Sequence, residues 1–320
     1  MHSGSFGRAD SHSGGLALSA VLHPFIVVFH EQKLLLDYWI ERAAGGSAVA
    51  SGLLTFSPCK FWPYLRNRTL WLIGDSITQE FMHAMECFFV EFWDLTRLPI
   101  SSNENLIDRV KEAGKVDPWC IHLPGKARIC HIRCNNGHDL AVHILPNARS
   151  LSSSADIWLL NFAVWLNKAE DYTSHLQAFK EYYERNEQDM PFIIWRDGSP
   201  QHFPKSATGD FESWGPDHFP CKPLDVSLDS KDHLHTQDAA LQILTEGGWR
   251  NKLAAPVMDS LGIPVLATWN QSVPLWQWHH HYNPHWAHQG YGNGECTHSC
   301  HPSVYQLWVY QLYALLDSWH

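Results

Sequence analysis

Four short apolar runs, each followed by a stretch with helical spacing, restrict the fold of this chain more than any other feature. "TLWLIGD" at 69–75 leads into 79–92, "DIWLLNFAVW" at 156–165 into 170–187, "PFIIWRD" at 191–197 into 237–260, and "IPVLATW" at 263–269 into 302–318. Such runs are apolar throughout instead of alternating, so both of their faces are covered. They predict an α/β fold, a three-layer α/β/α sandwich with a mainly parallel sheet. "ICHIRC" at 129–134 with "LAVHILP" at 140–146 predicts a further strand or hairpin. Residues 1–58 read as an N-terminal segment: 1–15 are rich in Gly, Ser and His and predict disorder, and "AAGGSAVASG" at 43–52 reads as a linker. Leu16–Phe29 is apolar but too short to span a bilayer and is broken by His23-Pro24, so it is neither a membrane span nor a clear signal peptide. The folded body is expected to cover 59–320.

In sheets of this kind chemistry gathers beyond the carboxyl ends of the strands. "WLIGDS" puts Ser76 at such an end, with Gly74 permitting a tight turn and the free N–H groups of the next helix close by. A hydroxyl there can attack an acyl carbon while the amides stabilise the oxyanion; a Ser or Asp at the same seam can also serve simply as a helix cap. A serine nucleophile needs a base, and the base an orienting carboxylate. "GECTHSCHP" at 294–302 offers both, since Glu295 and His298 lie three residues apart, within one turn of chain. His298 is bracketed by Cys296 and Cys300; a zinc reading of Cys-x-His-x-Cys fails on its tight spacing, and no metal is expected.

These blocks, in this order, resemble the PC-esterase branch of the SGNH (GDSL-like) hydrolase superfamily, which includes the trichome-birefringence-like polysaccharide O-acetyltransferases. "IGDS" resembles the nucleophile block at Ser76. "LNFAVW" at 160–165 resembles the Asn-x-x-x-Trp block, with Asn161 as an oxyanion donor beside the Ser76 amide and Trp165 next to it. "WRDGSPQHF" at 195–203 resembles Arg-x-x-Ser-Pro-x-His-Phe, with Arg196 and His202 as substrate contacts or braces; the alternative for Arg196 is a structural pairing with an acid such as Asp197. "ECTHSC" resembles Asp-Cys-x-His-x-Cys, with His298 as base and Glu295 in place of the Asp. Ala163-Val164 replaces the Gly-His of the second block. The resemblance implies an SGNH/PC-esterase-like catalytic domain over 59–320, a Cys221–Cys296 disulfide and, with less behind it, a partner such as Cys59 for Cys300.

It further implies serine-dependent acyl-ester chemistry on a carbohydrate, most of all O-acetyl transfer to a polysaccharide or glycan hydroxyl, with no bound cofactor but an acyl donor such as an acetyl carrier. A carbohydrate O-acetyl esterase and a non-catalytic glycan-binding protein are the alternatives. Composition agrees: a formal charge of −10 with no basic run excludes nucleic acid and anionic membranes as partners. Sixteen Trp exceed what a core needs and predict an aromatic cleft, and "WQWHHHYNPHWAHQG" at 276–290 reads as a sugar-stacking rim, with a metal-binding loop as the lesser alternative. Eight Cys and the sequons at Asn67 and Asn270 predict the secretory pathway, in the Golgi lumen or outside the cell.

Overall fold

The computed structural model describes residues 56–90, 92–100, 108, 116–204, 206, 210–211, 221–224, 247–280, 295–301 and 303–319. The expectations for 1–55, for the helix before 247 and for 281–290 lie outside the described residues. The seven strands are β1 (Thr69–Gly74), β2 (Arg97–Pro99), β3 (Trp119–Leu123), β4 (Ala127–Arg133), β5 (Ile157–Leu160), β6 (Phe192–Arg196) and β7 (Val265–Leu266). They form one sheet in the order β2-β3-β4-β1-β5-β6-β7. From β4 to β7 every neighbouring pair is parallel, and only β2 and β3 add an antiparallel edge. The chain places β4 on one side of central β1 and β5 on the other, so the crevice of a doubly wound sheet opens where β1 ends.

Side-chain alternation divides the core in two. Trp71, Ile73, Ile132, Trp158, Leu160, Ile193 and Trp195 face one way and pack with Tyr172, Leu176 and Phe179 of helix α3 (Ala169–Asn186) and Met258 of α4 (Trp249–Ser260). The opposite parity, Leu70, Leu72, Ile129, Leu159 and Ile194, is equally buried. On that face lie α1 (Pro58–Leu65), α2 (Ser76–Val90) and α5 (Val304–Asp317), with Phe81 of α2 edge-on to Trp308 of α5 at 5.7 Å. The three-layer α/β/α expectation is therefore met, by seven strands instead of the four that the apolar runs marked.

Three differences have physical causes. "LAVHILP" is no strand: its buried residues Leu140, Ala141, Ile144 and Leu145 recur at helical spacing, and the chain forms a π-helical turn over Leu140–Ile144. The hairpin partner of "ICHIRC" is instead β3, and Cys120 of β3 stands directly opposite Cys130 of β4 and is disulfide-bonded to it. Cys221 pairs with Cys296 as the resemblance implied, whereas Cys59 and Cys300 are both free thiols, so the second bridge is replaced by Cys120–Cys130. The described Trp residues divide: Trp71, Trp158, Trp195 and Trp308 are fully buried, while Trp165 and Trp319 stay exposed.

Gly74 closes β1 where no side chain fits. A Cβ there would lie 2.3 Å from Thr78 Oγ1 and 2.7 Å from the Asn161 carbonyl oxygen, and the second of these is backbone that cannot step aside. Gly74→Ala should therefore destabilise the fold by about 1–3 kcal/mol through overpacking, read as a lowered urea midpoint at unchanged m-value; an unchanged midpoint would show that the seam yields.

Candidate active site

The site begins with Asp75. Its Oδ1 accepts from the backbone N–H of Ile77 (3.1 Å) and of Thr78 (3.4 Å), which caps α2; its Oδ2 accepts from Val164 N–H (3.2 Å) and Ala163 N–H (3.4 Å) beyond β5. One carboxylate thus fastens the helix start to the neighbouring loop, and Ser76 becomes the first helical residue, whose amide has no acceptor within the helix. The Ser76 hydroxyl is buried without a hydrogen-bond partner among the described residues. Such an orphan costs about 1–3 kcal/mol and calls for a role beyond packing.

Arg196, at the end of β6, is 1% exposed. Its guanidinium lies 3.8 Å from Asp75 Oδ1, donates to the Asp197 carbonyl (2.9 Å) and sits over the Trp308 ring at 5.1 Å. Of the roles read from the sequence this is the brace paired with an acid, but the acid is Asp75: the Asp197 carboxylate accepts from Thr268 and Trp269 N–H instead. Asn161 follows β5, and its Nδ2 donates to the Arg196 carbonyl at 2.8 Å. That uses one of the two amide hydrogens and fixes the side chain across two strand ends.

His202 is likewise buried, with both ring nitrogens engaged, as expected for the brace of the two roles read from the sequence. Its Nε2 faces the Val273 carbonyl (3.0 Å), its Nδ1 meets His279 Nε2 (2.6 Å), and His279 Nδ1 faces the His298 carbonyl (3.0 Å). Burial pushes the two imidazoles down to about 4 and about 3, so both are neutral at pH 7. Two neutral rings carry two N–H groups for three contacts, and one contact is left without a proton. Trp165, by contrast, is half exposed beside the Asp75-anchored loop, where it is open to a ligand.

The loop 295–301 carries His298, the candidate base. Glu295 Oε2 lies 3.3 Å from His298 Nδ1, and Oε1 accepts from Thr297 N–H (2.7 Å) and His298 N–H (3.3 Å). The longer arm of Glu curls back over its own loop while still reaching the imidazole. The Cys221–Cys296 bridge holds one end of the loop; Ser299 N–H to the Tyr305 hydroxyl (3.2 Å) and Cys300 N–H to the Trp278 carbonyl (2.8 Å) hold the other. His301 Nε2 contacts Glu80 Oε2 at 2.8 Å, and Glu80 stands one turn after Ser76 on α2, so the loop is tied to the helix that presents the serine. The structure thus joins Glu295 to His298 and Ser76 to the Asn161 strand end; Ser76 Oγ and His298 share no hydrogen bond.

A cleft of about 380 Å³ is lined by Asp75, Asn161, Val164, Arg196, Arg250 and Trp269 among others, and neither Ser76 nor His298 is among its lining residues. Asp75 takes the helix-cap role that the sequence offered for a Ser or Asp at this seam, and adds the tie to Ala163 and Val164. His279 was read only as part of the aromatic rim, and Glu80 and His301 were missed because nothing local marks them.

No protein-family model matches the chain, and no curated protein matches it. Among solved structures it is similar to an acetyl xylan esterase, 8% identical, covering 78% of this chain and 98% of the other with a TM-score of 0.36. It is also similar to a GDSL-like lipase from Bacteroides thetaiotaomicron, 9% identical over 85% of this chain and 96% of the other, TM-score 0.38. A third is an α/β hydrolase from the metagenome of Lake Arreo, Spain, 12% identical over 80% and 99%, TM-score 0.39.

Burial alone would raise the Glu295 carboxyl, but the hydrogen bond and charge of His298 with the two loop amides bring it down to about 2. Burial alone would lower His298, and the Glu295 contact outweighs it, holding the imidazole above its ordinary 6.5. The depressed Glu295 stabilises the fold above pH 4.5 and loses this as pH falls toward 2; the raised His298 stabilises it below 6.5 and loses this as pH rises through its folded value. A base must be neutral, so activity requiring His298 should fall on acidification with a midpoint above 6.5. Glu295→Gln should lower that midpoint and cut turnover by roughly 10²–10⁴-fold, because an amide can turn the ring to the wrong tautomer; Glu295→Asp should be milder. Turnover and melting curves of both variants check this, and parent-like turnover in the Gln variant would remove Glu295 from the reaction.

Proposed function

We propose that the protein is a serine-dependent acyl-ester enzyme of the PC-esterase type within the SGNH superfamily, acting on O-acetyl groups of a carbohydrate. The observation that carries the reading is the Glu295–His298 pair on a disulfide-anchored loop tied to the helix that starts with an orphaned Ser76 hydroxyl. Ser76 Oγ attacks the acyl carbon and passes its proton to His298, whose Nδ1 faces Glu295. The Ser76 amide and the second Asn161 amide hydrogen receive the oxyanion, and the leaving alkoxide takes the proton back from His298. An acceptor hydroxyl then gives its proton to His298 and takes the acyl group from Ser76, and His298 returns that proton to Ser76 Oγ. The bond between His298 and Ser76 Oγ has to form when substrate enters, as catalytic hydrogen bonds often tighten only then.

With a sugar hydroxyl as acceptor the enzyme is an O-acetyltransferase drawing on an acetyl carrier, the reading that the sequence blocks favour; with water it is a carbohydrate esterase. Half-exposed Trp165 provides an aromatic face for a sugar ring. Two disulfides and the exposed sequon residues Asn67 and Asn270 favour an oxidising, secretory location. No helix among the described residues is long and apolar enough to cross a membrane.

Ser76→Ala should remove ester turnover by roughly 10⁴–10⁶-fold without lowering the melting temperature, since it deletes an unpartnered buried hydroxyl, and a fluorophosphonate probe should label the parent at Ser76 only. A soluble acetyl ester supplied with a neutral oligosaccharide then separates the two outcomes: acetylated oligosaccharide marks a transferase, and free acetate alone an esterase. Parent-like turnover in the Ala variant would reject serine catalysis.

A further inference from the structure

A cluster of metal-ligating side chains lies beside this loop, and the acyl chemistry does not use it. Glu80 and His83 share one face of α2 three residues apart, and His301 reaches them from the loop before α5. The ligand atoms of the three all lie within 4.8 Å of one another; Glu80 Oε2 is 2.8 Å from His301 Nε2 and 3.5 Å from His83 Nδ1. A tetrahedral ion with bonds of about 2.0–2.1 Å holds its ligand atoms about 3.3 Å apart, so small side-chain rotations bring these three onto one ion. Two imidazoles and one carboxylate are also the donor set of open zinc sites, in which the remaining position takes water.

The rings are held in place. His301 stacks on Tyr305 at 5.1 Å, and His83 lies nearly parallel to Trp119 at 6.0 Å. A second observation comes from His131, on the same face of the sheet and opposite Trp119 in the β3–β4 register. It is fully buried with neither ring nitrogen hydrogen-bonded among the described residues, and it lies within electrostatic reach of both His83 and Glu80. An imidazole without a partner beside three convergent ligands leaves the local polar accounting open by one group.

We propose that Glu80, His83 and His301 form a binding site for a divalent transition-metal ion, with zinc the best match to the donor set, which cross-links helix α2 to the loop that carries His298. On binding, His301 Nε2 gives up the proton it shares with Glu80 and Nδ1 takes one, so the 3.4 Å contact from Gln306 Nε2 has to lengthen. The ion replaces a hydrogen bond between helix and loop with coordination. It fixes where His298 stands relative to Ser76 without entering the acyl transfer, and its binding does not depend on that chemistry.

The test is titration of the chelator-stripped full chain with Co²⁺, followed by visible absorption, and with Zn²⁺, followed by calorimetry and melting temperature. The expected result is one equivalent bound, a raised melting temperature, and at least tenfold weaker binding in each of Glu80→Gln, His83→Gln and His301→Gln. The His-rich stretch is the competing ligand source, so a variant with His281, His285 and His288 all changed to Gln is titrated beside them and should bind like the parent. Three separate ligand variants keep the test open if one of them fails to fold. Absence of binding, or binding lost in the 281/285/288 variant and kept in the other three, would overturn the proposal.

Discussion

The Asp75 carboxylate is the point on which the site is built. It is buried, accepts from four backbone N–H groups on two segments and faces the equally buried Arg196. Desolvating both charges is expensive, and a hydrophobic pair of the same size would often stabilise a fold as well. What the pair supplies is position. Removing either partner would leave an uncompensated buried charge, so helix start, β5 loop and β6 end have to stay in register around Ser76.

The base is positioned by different means. Its loop has no regular structure of its own, and its order comes from the Cys221–Cys296 cross-link, the Glu295 turn and the His202–His279 chain ending on the His298 carbonyl. A disulfide over a separation of 75 residues removes much of the freedom of the unfolded loop. His298 is thus held through its own backbone, and the Glu295 contact acts on the ring itself. The same contact sets two opposing demands: the ion pair holds the loop best while His298 is charged, and a base acts only when it is neutral.

Arg196 and His202 show how a motif can fix position and leave the role open. Both stand where the sequence blocks put them, at and just after a strand end, and residue type allowed substrate contacts or braces. Their burial and their partners make them braces. The cysteines show the same limit: bracketing of His298 suggested two cross-links around it, and the second bridge instead joins neighbouring strands at Cys120 and Cys130, while Cys300 stays a thiol.

Apolar runs and helical spacing by themselves determined the layered α/β class, the strand end at Ser76 and the nearness of Glu295 to His298, because each of these rests on contacts within a few residues. Tertiary structure decided the antiparallel edge, the choice of Asp75 over Asp197 as the partner of Arg196, and the meeting of Glu80 with His301 across 221 positions of chain. The physical reason is the same in all three. A pairing between distant residues is selected by which faces of the sheet and helices pack together, and no local pattern encodes that choice.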